Sequence, residues 1–151
     1  MSKLNFQLVT PERTVLSQEL TSLSCPTTLG QITILPGHIP LVATLITGEL
    51  VAKSGETENF IHVSGGFVEV KKGNQISILA DSAEHYYEID EKRAQEAIDR
   101  AKKAMEQSNM SDMEYAKVSA SLERSLSRIN ISRKHAHRRK TPITGAGTFN
   151  Q

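Results

Sequence analysis

Four arginines in the C-terminal half are the side chains with the clearest potential for ligand chemistry. Arg93 and Arg100 are seven residues apart, and Arg124 and Arg128 are four apart, so each pair shares one face of an α-helix. Planar guanidinium groups on a shared face can bind a polyphosphate through bidentate hydrogen bonds. The alternative is that they pair with acidic neighbours on a solvated helix surface. Spacing favours this alternative, because Arg124 and Arg128 lie roughly opposite the apolar stripe of their helix at about 100° per residue.

Sequence signatures of common enzyme sites are missing. The chain contains no Walker-type phosphate loop, no dinucleotide-binding glycine motif and no nucleophile elbow. Residues 64–66 (SGG) are interpreted as a tight turn between strands, because glycine tolerates positive φ. Zinc-ligand spacing is missing among the five histidines, which are His38, His62, His85, His135 and His137. The sequence therefore predicts a non-catalytic protein without a metal site.

The arginines belong to a segment with helical periodicity. Asp90 is expected to cap a first helix, and Ser111 with Glu114 forms a capping box that opens a second. The apolar stripes are Ala94, Ala97, Ile98, Ala101, Ala104 and Met105 on the first helix, and Tyr115, Val118, Ser119, Leu122, Leu126 and Ile129 on the second. The short connection predicts an antiparallel hairpin. Its small side chains predict a weakly held pair that rearranges at a cost of a few kcal/mol.

The first 80 residues have a different pattern, in which apolar residues alternate in short runs that Gly and Pro interrupt. Short strands are predicted at residues 4–8, 15–18, 20–25, 31–35, 41–46, 49–53, 59–63, 66–70 and 75–80. Many short strands without intervening helices predict an antiparallel sandwich or barrel rather than a parallel sheet. The expected domains are a β module at 1–87, a helical hairpin at 88–134 and a basic, disordered tail at 135–151.

Charge is distributed unevenly along the chain. The formal net charge is +1, but the residues beyond 132 contain five basic side chains and no acidic ones. A basic end is typical of segments that bind nucleic acid, a membrane surface or an acidic protein, and also of solvated disordered ends. The single cysteine, Cys25, lies in an alternating run and is interpreted as a small buried side chain rather than a nucleophile. No apolar run reaches 18 residues and no secretory signal is recognised, which favours a cytosolic protein without membrane insertion.

Three segments of the sequence resemble the epsilon subunit of F-type ATP synthases. They are residues 30–42 (GQITILPGHIPLV), 63–70 (VSGGFVEV) and 78–83 (ILADSA). With the helical end, the similarity covers about residues 3–133. The resemblance implies an α+β fold, in which an antiparallel β-sandwich of about ten strands precedes a two-helix antiparallel hairpin. This agrees with the periodicity of the sequence.

The resemblance also implies partners. The chain is expected to be a non-catalytic rotor subunit of the central stalk, peripheral on the cytoplasmic face of the cell membrane. Its expected partners are the gamma subunit, the c-ring and, when the hairpin is extended, the alpha/beta catalytic head. Gln31 is implied at the c-ring, and the turn Pro36, Gly37 and His38 is implied near gamma. In this chain Gln31 stands where the family frequently has an acid, and Thr33 where it frequently has Gly.

The hairpin is the regulatory part in this family, where its extended form blocks ATP hydrolysis. Residues 89–94 (IDEKRA) match the (Ile/Leu)-Asp-x-x-Arg-Ala signature of members that bind ATP. The resemblance implies that no cofactor is required and that ATP is a regulatory ligand, held by Glu84, Asp90, Arg93, Arg100, Arg124 and Arg128. A free-standing ATP-binding sensor is the alternative function. A nucleic-acid-binding barrel is disfavoured, because the chain has no Trp and its strand phenylalanines are expected to be buried.

Overall fold

A computed structural model describes residues 2–107 and 109–139. The strands in this part of the chain are β1 (Leu4–Val9), β2 (Thr14–Leu20), β3 (Ser22–Thr27), β4 (Gly30–Ile34), β5 (Leu41–Thr44), β6 (Gly48–Ser54), β7 (Thr57–Lys71) and β8 (Gln75–His85). The helices are a 3₁₀ helix at Tyr86–Glu88, α1 (Glu91–Met105), α2 (Asp112–Lys134) and the short α3 (Ala136–Arg139). The predicted α+β class, with strands followed by a helical hairpin, is confirmed.

Two long strands, β7 and β8, organise the β module. The first half of β7 pairs with β6, from Thr57 opposite Ser54 to Val63 opposite Gly48, and the second half pairs with β5. The strand order is β2-β1-β8-β7-β6-β3-β4. Side chains from all eight strands meet in one buried core, so the sheet folds over on itself as a sandwich. Cys25 lies in this core with 0% exposure, and burial raises its thiol pKa to about 12. Its interpretation as a packed side chain is confirmed.

The strand pairing differs from the prediction in two ways. The described residues contain eight strands rather than about ten, because the predicted strands 59–63 and 66–70 are one continuous strand, β7. In addition, β1 and β8 are parallel, from Asn5 opposite Gln75 to Val9 opposite Leu79. The expectation of a purely antiparallel sandwich is wrong at this pair. The two strands are separated by the rest of the sandwich, so no hairpin turn constrains their direction.

Gly65 and Gly66 lie inside β7, so their interpretation as a turn between strands is wrong. Both have positive φ, +76° and +115°, and they lie where the partner of β7 changes from β6 to β5. A β-carbon at Gly66 would lie 2.7 Å from the Ala80 Cα and closer still to the Leu79 carbonyl oxygen. Glycine is therefore required here both by the backbone angle and by the close approach of β8.

The helix caps are confirmed. The Asp90 side chain accepts a hydrogen bond from the Arg93 N–H, and Ser111 and Glu114 form the predicted reciprocal capping box. On α1 the predicted stripe is also confirmed, since its buried residues are Ala94, Ile98 and Ala101.

The predicted stripe of α2 is partly wrong. Ile129 is buried as predicted, but Tyr115 and Leu126 are exposed. The other buried residues, Ser125, Ile131 and Ser132, lie outside the predicted stripe. The cause is that the C-terminal half of α2 packs on the sandwich as well as on α1. Two neighbouring surfaces, rather than one, decide which of its side chains are buried.

The predicted tail begins too early. His135 is 4% exposed and α3 follows it at Ala136–Arg139, while residues 140–151 lie outside the described residues. Among the residues described, no helix combines the length and the hydropathy required of a membrane span.

Candidate functional site

A cleft of about 880 Å³ lies between the two long helices and the sandwich. Its walls are formed by Glu12, His62, Ser82, Ala83, Glu84, Arg93, Ala97, Ser121, Arg124, Ser125 and Arg128. Three guanidinium groups from two helices thus converge on a polar recess whose opposite wall is the sandwich. Planar cationic groups in this arrangement suit a multivalent oxyanion.

Four of the six residues assigned to an ATP site line this cleft, namely Glu84, Arg93, Arg124 and Arg128. Asp90 does not, because its carboxylate caps α1 and accepts a hydrogen bond from the Arg93 N–H at 3.1 Å. Arg100 lines a separate, smaller recess between α1 and α2. The structure therefore does not bring the six residues into one site. Asp90 acts on the cleft only by fixing the first turn of the helix that carries Arg93.

The argument that Arg124 and Arg128 point away from the packed face of α2 is wrong. It used an apolar stripe that included Tyr115 and Leu126, but these side chains are 48% and 42% exposed. The buried positions are centred on Ser125 and Ile129, each adjacent in sequence to one of the two arginines. Both guanidinium groups therefore border the packed surface and reach the cleft.

Arg128 joins α2 to the sandwich through a bidentate ion pair with Glu84 on β8. Its Nε donates to Glu84 Oε1, and an Nη donates to Oε2 at 3.2 Å. Both side chains are about a quarter exposed, so solvent screens part of the attraction. Among the described residues, neither Arg93 nor Arg124 forms a comparable side-chain ion pair. These two cations are therefore available to a ligand without breaking a contact.

His62 is the least expected residue of the cleft. Its side chain is 1% exposed, and neither ring nitrogen has a hydrogen-bond partner within the described chain. Burial, followed by the charges of Arg128 and Arg124, lowers its pKa to about 4. The imidazole is therefore neutral at pH 7, and its 4.0 Å approach to Glu84 is not an ion pair there. A sequence signal existed, since His62 interrupts an apolar run with a polar side chain that faces away from the core.

Glu12 was also missed, and it enters the cleft from the turn that follows β1. Two residues contribute to fixing that turn. Thr10 Oγ1 lies 3.3 Å from the Arg13 backbone N–H, and the Arg13 guanidinium donates to Glu88 Oε1 at 2.9 Å. The hydrogen bond from Arg13 also lowers the pKa of Glu88. No local sequence pattern predicts this placement of Glu12, because the neighbouring Arg13 is held by a contact to Glu88, 75 positions away.

A second contact holds the far end of α2 on the sandwich, and we call its residues Glu49, Phe60 and His135 the α2 latch. His135 lies 2.9 Å from the Glu49 carboxylate, and its ring stacks on Phe60 with centroids 3.7 Å apart. Lys134 also donates to Glu49, at 3.1 Å. The latch and the Arg128–Glu84 pair together define the docked position of the hairpin.

The sandwich also carries exposed apolar side chains. Val42, Phe67 and Leu79 occupy neighbouring positions on β5, β7 and β8 and are 66%, 45% and 49% exposed. The expectation that the strand phenylalanines are buried is therefore wrong for Phe67. Ile39, 73% exposed, lies just beyond the predicted interface turn of Pro36, Gly37 and His38. We call Ile39, Val42, Phe67 and Leu79 the apolar face.

The turn before the apolar face is held in shape by its own contacts. The Gly37 N–H donates to Asn74 Oδ1 at 2.8 Å, at a φ of +88°. His38 Nδ1 lies 2.7 Å from the Ile39 carbonyl oxygen. Gln31 is exposed on β4, close to Leu29, which is 89% exposed at the β3–β4 turn.

Comparison with known proteins gives consistent matches. Residues 3–86 match the family model described as "ATP synthase, Delta/Epsilon chain, beta-sandwich domain". Residues 88–133 match "ATP synthase, Delta/Epsilon chain, long alpha-helix domain". An ATP synthase epsilon chain from Dehalococcoides mccartyi is 43% identical over 142 residues, which are 94% of this chain and 99% of that one. A second, from Halalkalibacterium halodurans, is 38% identical over 132 residues, or 87% and 98% of the two chains.

Solved structures share the fold. A chain of the Euglena gracilis mitochondrial ATP synthase (OSCP/F1/c-ring) has a TM-score of 0.73 at 22% identity, over 84% of this chain and 79% of that one. A chain from the central stalk and c-ring of the Tetrahymena thermophila mitochondrial ATP synthase has a TM-score of 0.61 at 15% identity, over 87% and 97%. Since two matched domains cover most of the sequence and bacterial relatives align along nearly their whole length, this chain belongs to the ATP synthase epsilon-chain family.

Proposed function

We propose that this chain is a non-catalytic rotor subunit of a bacterial ATP synthase, bound to gamma and the c-ring on the cytoplasmic face of the membrane. Its hairpin inhibits ATP hydrolysis when extended and is held in the docked position by ATP. Family membership supports the rotor role, as do the central-stalk and c-ring assemblies that contain the structural neighbours. The single observation that supports ATP sensing is the convergence of three arginines in a cleft between hairpin and sandwich.

The apolar face is the docking surface for gamma in this proposal. Four large apolar side chains exposed by 45–73% on one region of a small domain are costly in water. A free-standing sensor would leave them solvated, whereas a permanent partner removes them from water. In this proposal the exposed Leu29 and Gln31 at the β3–β4 turn form the contact with the c-ring.

Val42→Asp is expected to weaken binding of the gamma subunit by at least about tenfold, because a carboxylate would be buried against apolar surface. Val42 is 66% exposed, so the substitution leaves the core intact. The measurement is co-purification with gamma of the same synthase, quantified by titration. Thr57→Asp, at the exposed first residue of β7, is the matched control. Equal gamma binding by Val42→Asp and wild type would place the interface elsewhere.

In this proposal ATP holds the hairpin docked, because the cleft that binds it is formed partly by the helices and partly by the sandwich. Arg93, Arg124 and Arg128 belong to the helices, whereas Glu84 and His62 belong to the sandwich. The complete site therefore exists only while the hairpin is docked. A ligand that binds only this state stabilises it by about 2.7 kcal/mol when its concentration is 100 times the Kd. When ATP falls, the hairpin is released, and the basic end of α2 is attracted to acidic surfaces of the catalytic head.

Calorimetric titration of the isolated protein with ATP tests this proposal. Wild type is expected to bind, and Arg93→Ala and Arg124→Ala are each expected to weaken affinity by about tenfold, the cost of a charge-assisted contact to phosphate. Arg100→Ala is the control that the structure supplies. Arg100 lies in the neighbouring recess, so its loss is expected to change affinity by less than about twofold. Absence of binding by wild type, or wild-type affinity in Arg124→Ala, would refute this use of the cleft.

A further inference from the structure

We propose that His62 is a phosphate ligand of the cleft, and that it takes up a proton from solvent when the polyphosphate of a nucleotide binds. This inference rests on the proposed function, because it concerns the same cleft. The observation that supports it does not depend on the arginines of the cleft. A side chain that is 99% buried lines the cleft, and both its ring nitrogens lack a hydrogen-bond partner among the described residues.

His62 is the middle member of a row that crosses three strands. Glu49 on β6 lies opposite His62 on β7, and His62 lies opposite Glu84 on β8. The C-terminal part of α2 and the following His135 cover this row, and they form hydrogen bonds only with its two outer members. Lys134 and His135 contact Glu49, and Arg128 pairs with Glu84.

The middle position is left with an imidazole that lines the cleft and whose two ring nitrogens have no hydrogen-bond partner among the described residues. A buried polar group without a partner raises the free energy of the fold. A ligand oxygen that accepts a hydrogen bond from His62 removes that penalty. The position of this imidazole therefore favours a ligand with acceptor oxygens over an empty cleft.

The charges around His62 explain why binding also moves a proton. From α2 it faces Arg124 and Arg128, and from β8 it faces Glu84. Glu49 is its neighbour on β6, and Arg93 of α1 and Glu12 line the same cleft.

Without ligand, burial and the two α2 arginines keep the imidazole neutral at pH 7. A polyphosphate brings several negative charges that offset these arginines and stabilise the imidazolium. One proton then passes from buffer to the ring, and both ring N–H groups become donors. No covalent bond changes. The affinity for a polyphosphate is expected to rise as the pH falls, because the bound state holds the extra proton.

Nitrogen NMR of the histidine rings in the full-length protein at pH 7 tests this inference. Inorganic tripolyphosphate and ATP are the probes that carry phosphates, and adenosine is the probe that does not. Both phosphate probes are expected to move the His62 nitrogen shifts from the neutral to the imidazolium range, while adenosine leaves them unchanged. The exposed His137 serves as an internal reference. His62→Gln assigns the signals.

Proton uptake gives a second readout. Calorimetric titration with ATP in two buffers of different ionisation enthalpy is expected to show uptake of up to one proton by wild type and less by His62→Gln. The affinity of His62→Gln for ATP is expected to be about fivefold lower than that of wild type. If wild type binds ATP while the His62 nitrogen shifts stay neutral, the inference fails and the proposed function stands. If adenosine alone shifts them, the ring contacts the nucleoside and the inference is again wrong. If wild type binds no ATP, both fail together.

Discussion

Gly66→Ala is expected to destabilise the sandwich by about 3 kcal/mol or more, the range seen for severe steric conflicts in a packed interior. The new methyl group would lie 2.7 Å from the Ala80 Cα and closer still to the Leu79 carbonyl oxygen. Both atoms are backbone atoms of β8, so they move only if the β7–β8 hydrogen-bond ladder is distorted. The φ of +115° adds strain for any residue with a β-carbon.

The measurement is urea unfolding followed by circular dichroism, and the chain contains a matched control. Gly73 also has a positive φ, +82°, but a β-carbon there meets no atom within 4 Å. Gly73→Ala is therefore expected to cost only the backbone strain, about 1 kcal/mol. Gly65→Ala is expected to fall between the two, because the atom it meets belongs to the Asp81 side chain, which can rotate. Equal losses for Gly66→Ala and Gly73→Ala would mean that β8 does not crowd β7.

Acidification from pH 7.5 to 5 is expected to weaken hairpin docking by about 2 kcal/mol through His62 alone. In the docked fold its pKa is about 4, below the ordinary value of 6.5. Above pH 6.5 the imidazole is neutral whether the hairpin is docked or released, and docking keeps its full free energy. As the pH falls from 6.5 toward 4, the released imidazole binds a proton and the docked one does not, so the free energy of docking becomes less favourable.

Hydrogen exchange at the buried amides of α2, corrected for the intrinsic pH dependence of exchange, measures this effect. His62→Gln is the matched variant, because glutamine keeps a polar side chain and does not titrate. It is expected to lose about 2 kcal/mol less protection than wild type over this pH range. Contributions from the carboxylates and the other histidines are common to both proteins and cancel in the comparison. Identical losses in the two proteins would show that His62 is not the group that titrates.

Local sequence signals predicted the local structure well. Asp90 and the Ser111–Glu114 pair fixed both helix starts, because capping hydrogen bonds join residues three apart. The alternating runs located the strands, because the alternation of side chains along a strand is also a local pattern. The class of fold and the hairpin follow from these elements and short connections.

The errors all concern contacts between distant parts of the chain. The orientation of Arg124 and Arg128 depends on a helix that packs on two surfaces, and periodicity assumes one. The continuity of β7 through Gly65 depends on β5 and β6 sharing that strand. His135 was assigned to a disordered tail because its partners, Glu49 and Phe60, lie more than 70 residues away. The candidate site was therefore predictable as a set of cations and not as a cavity.

The serines on the buried face of α2 have a consequence for the released hairpin. Ser125 and Ser132 occupy central packing positions that large apolar residues would fill in a permanent interface. Ser132 Oγ has no partner among the described residues while docked, and it regains water on release. On release as proposed, these two positions present hydroxyl groups to water, and only part of the exposed face, including Ile129 and Ile131, is apolar. In the proposed function, this polar fraction limits aggregation of the arm while it is detached and allows it to dock again.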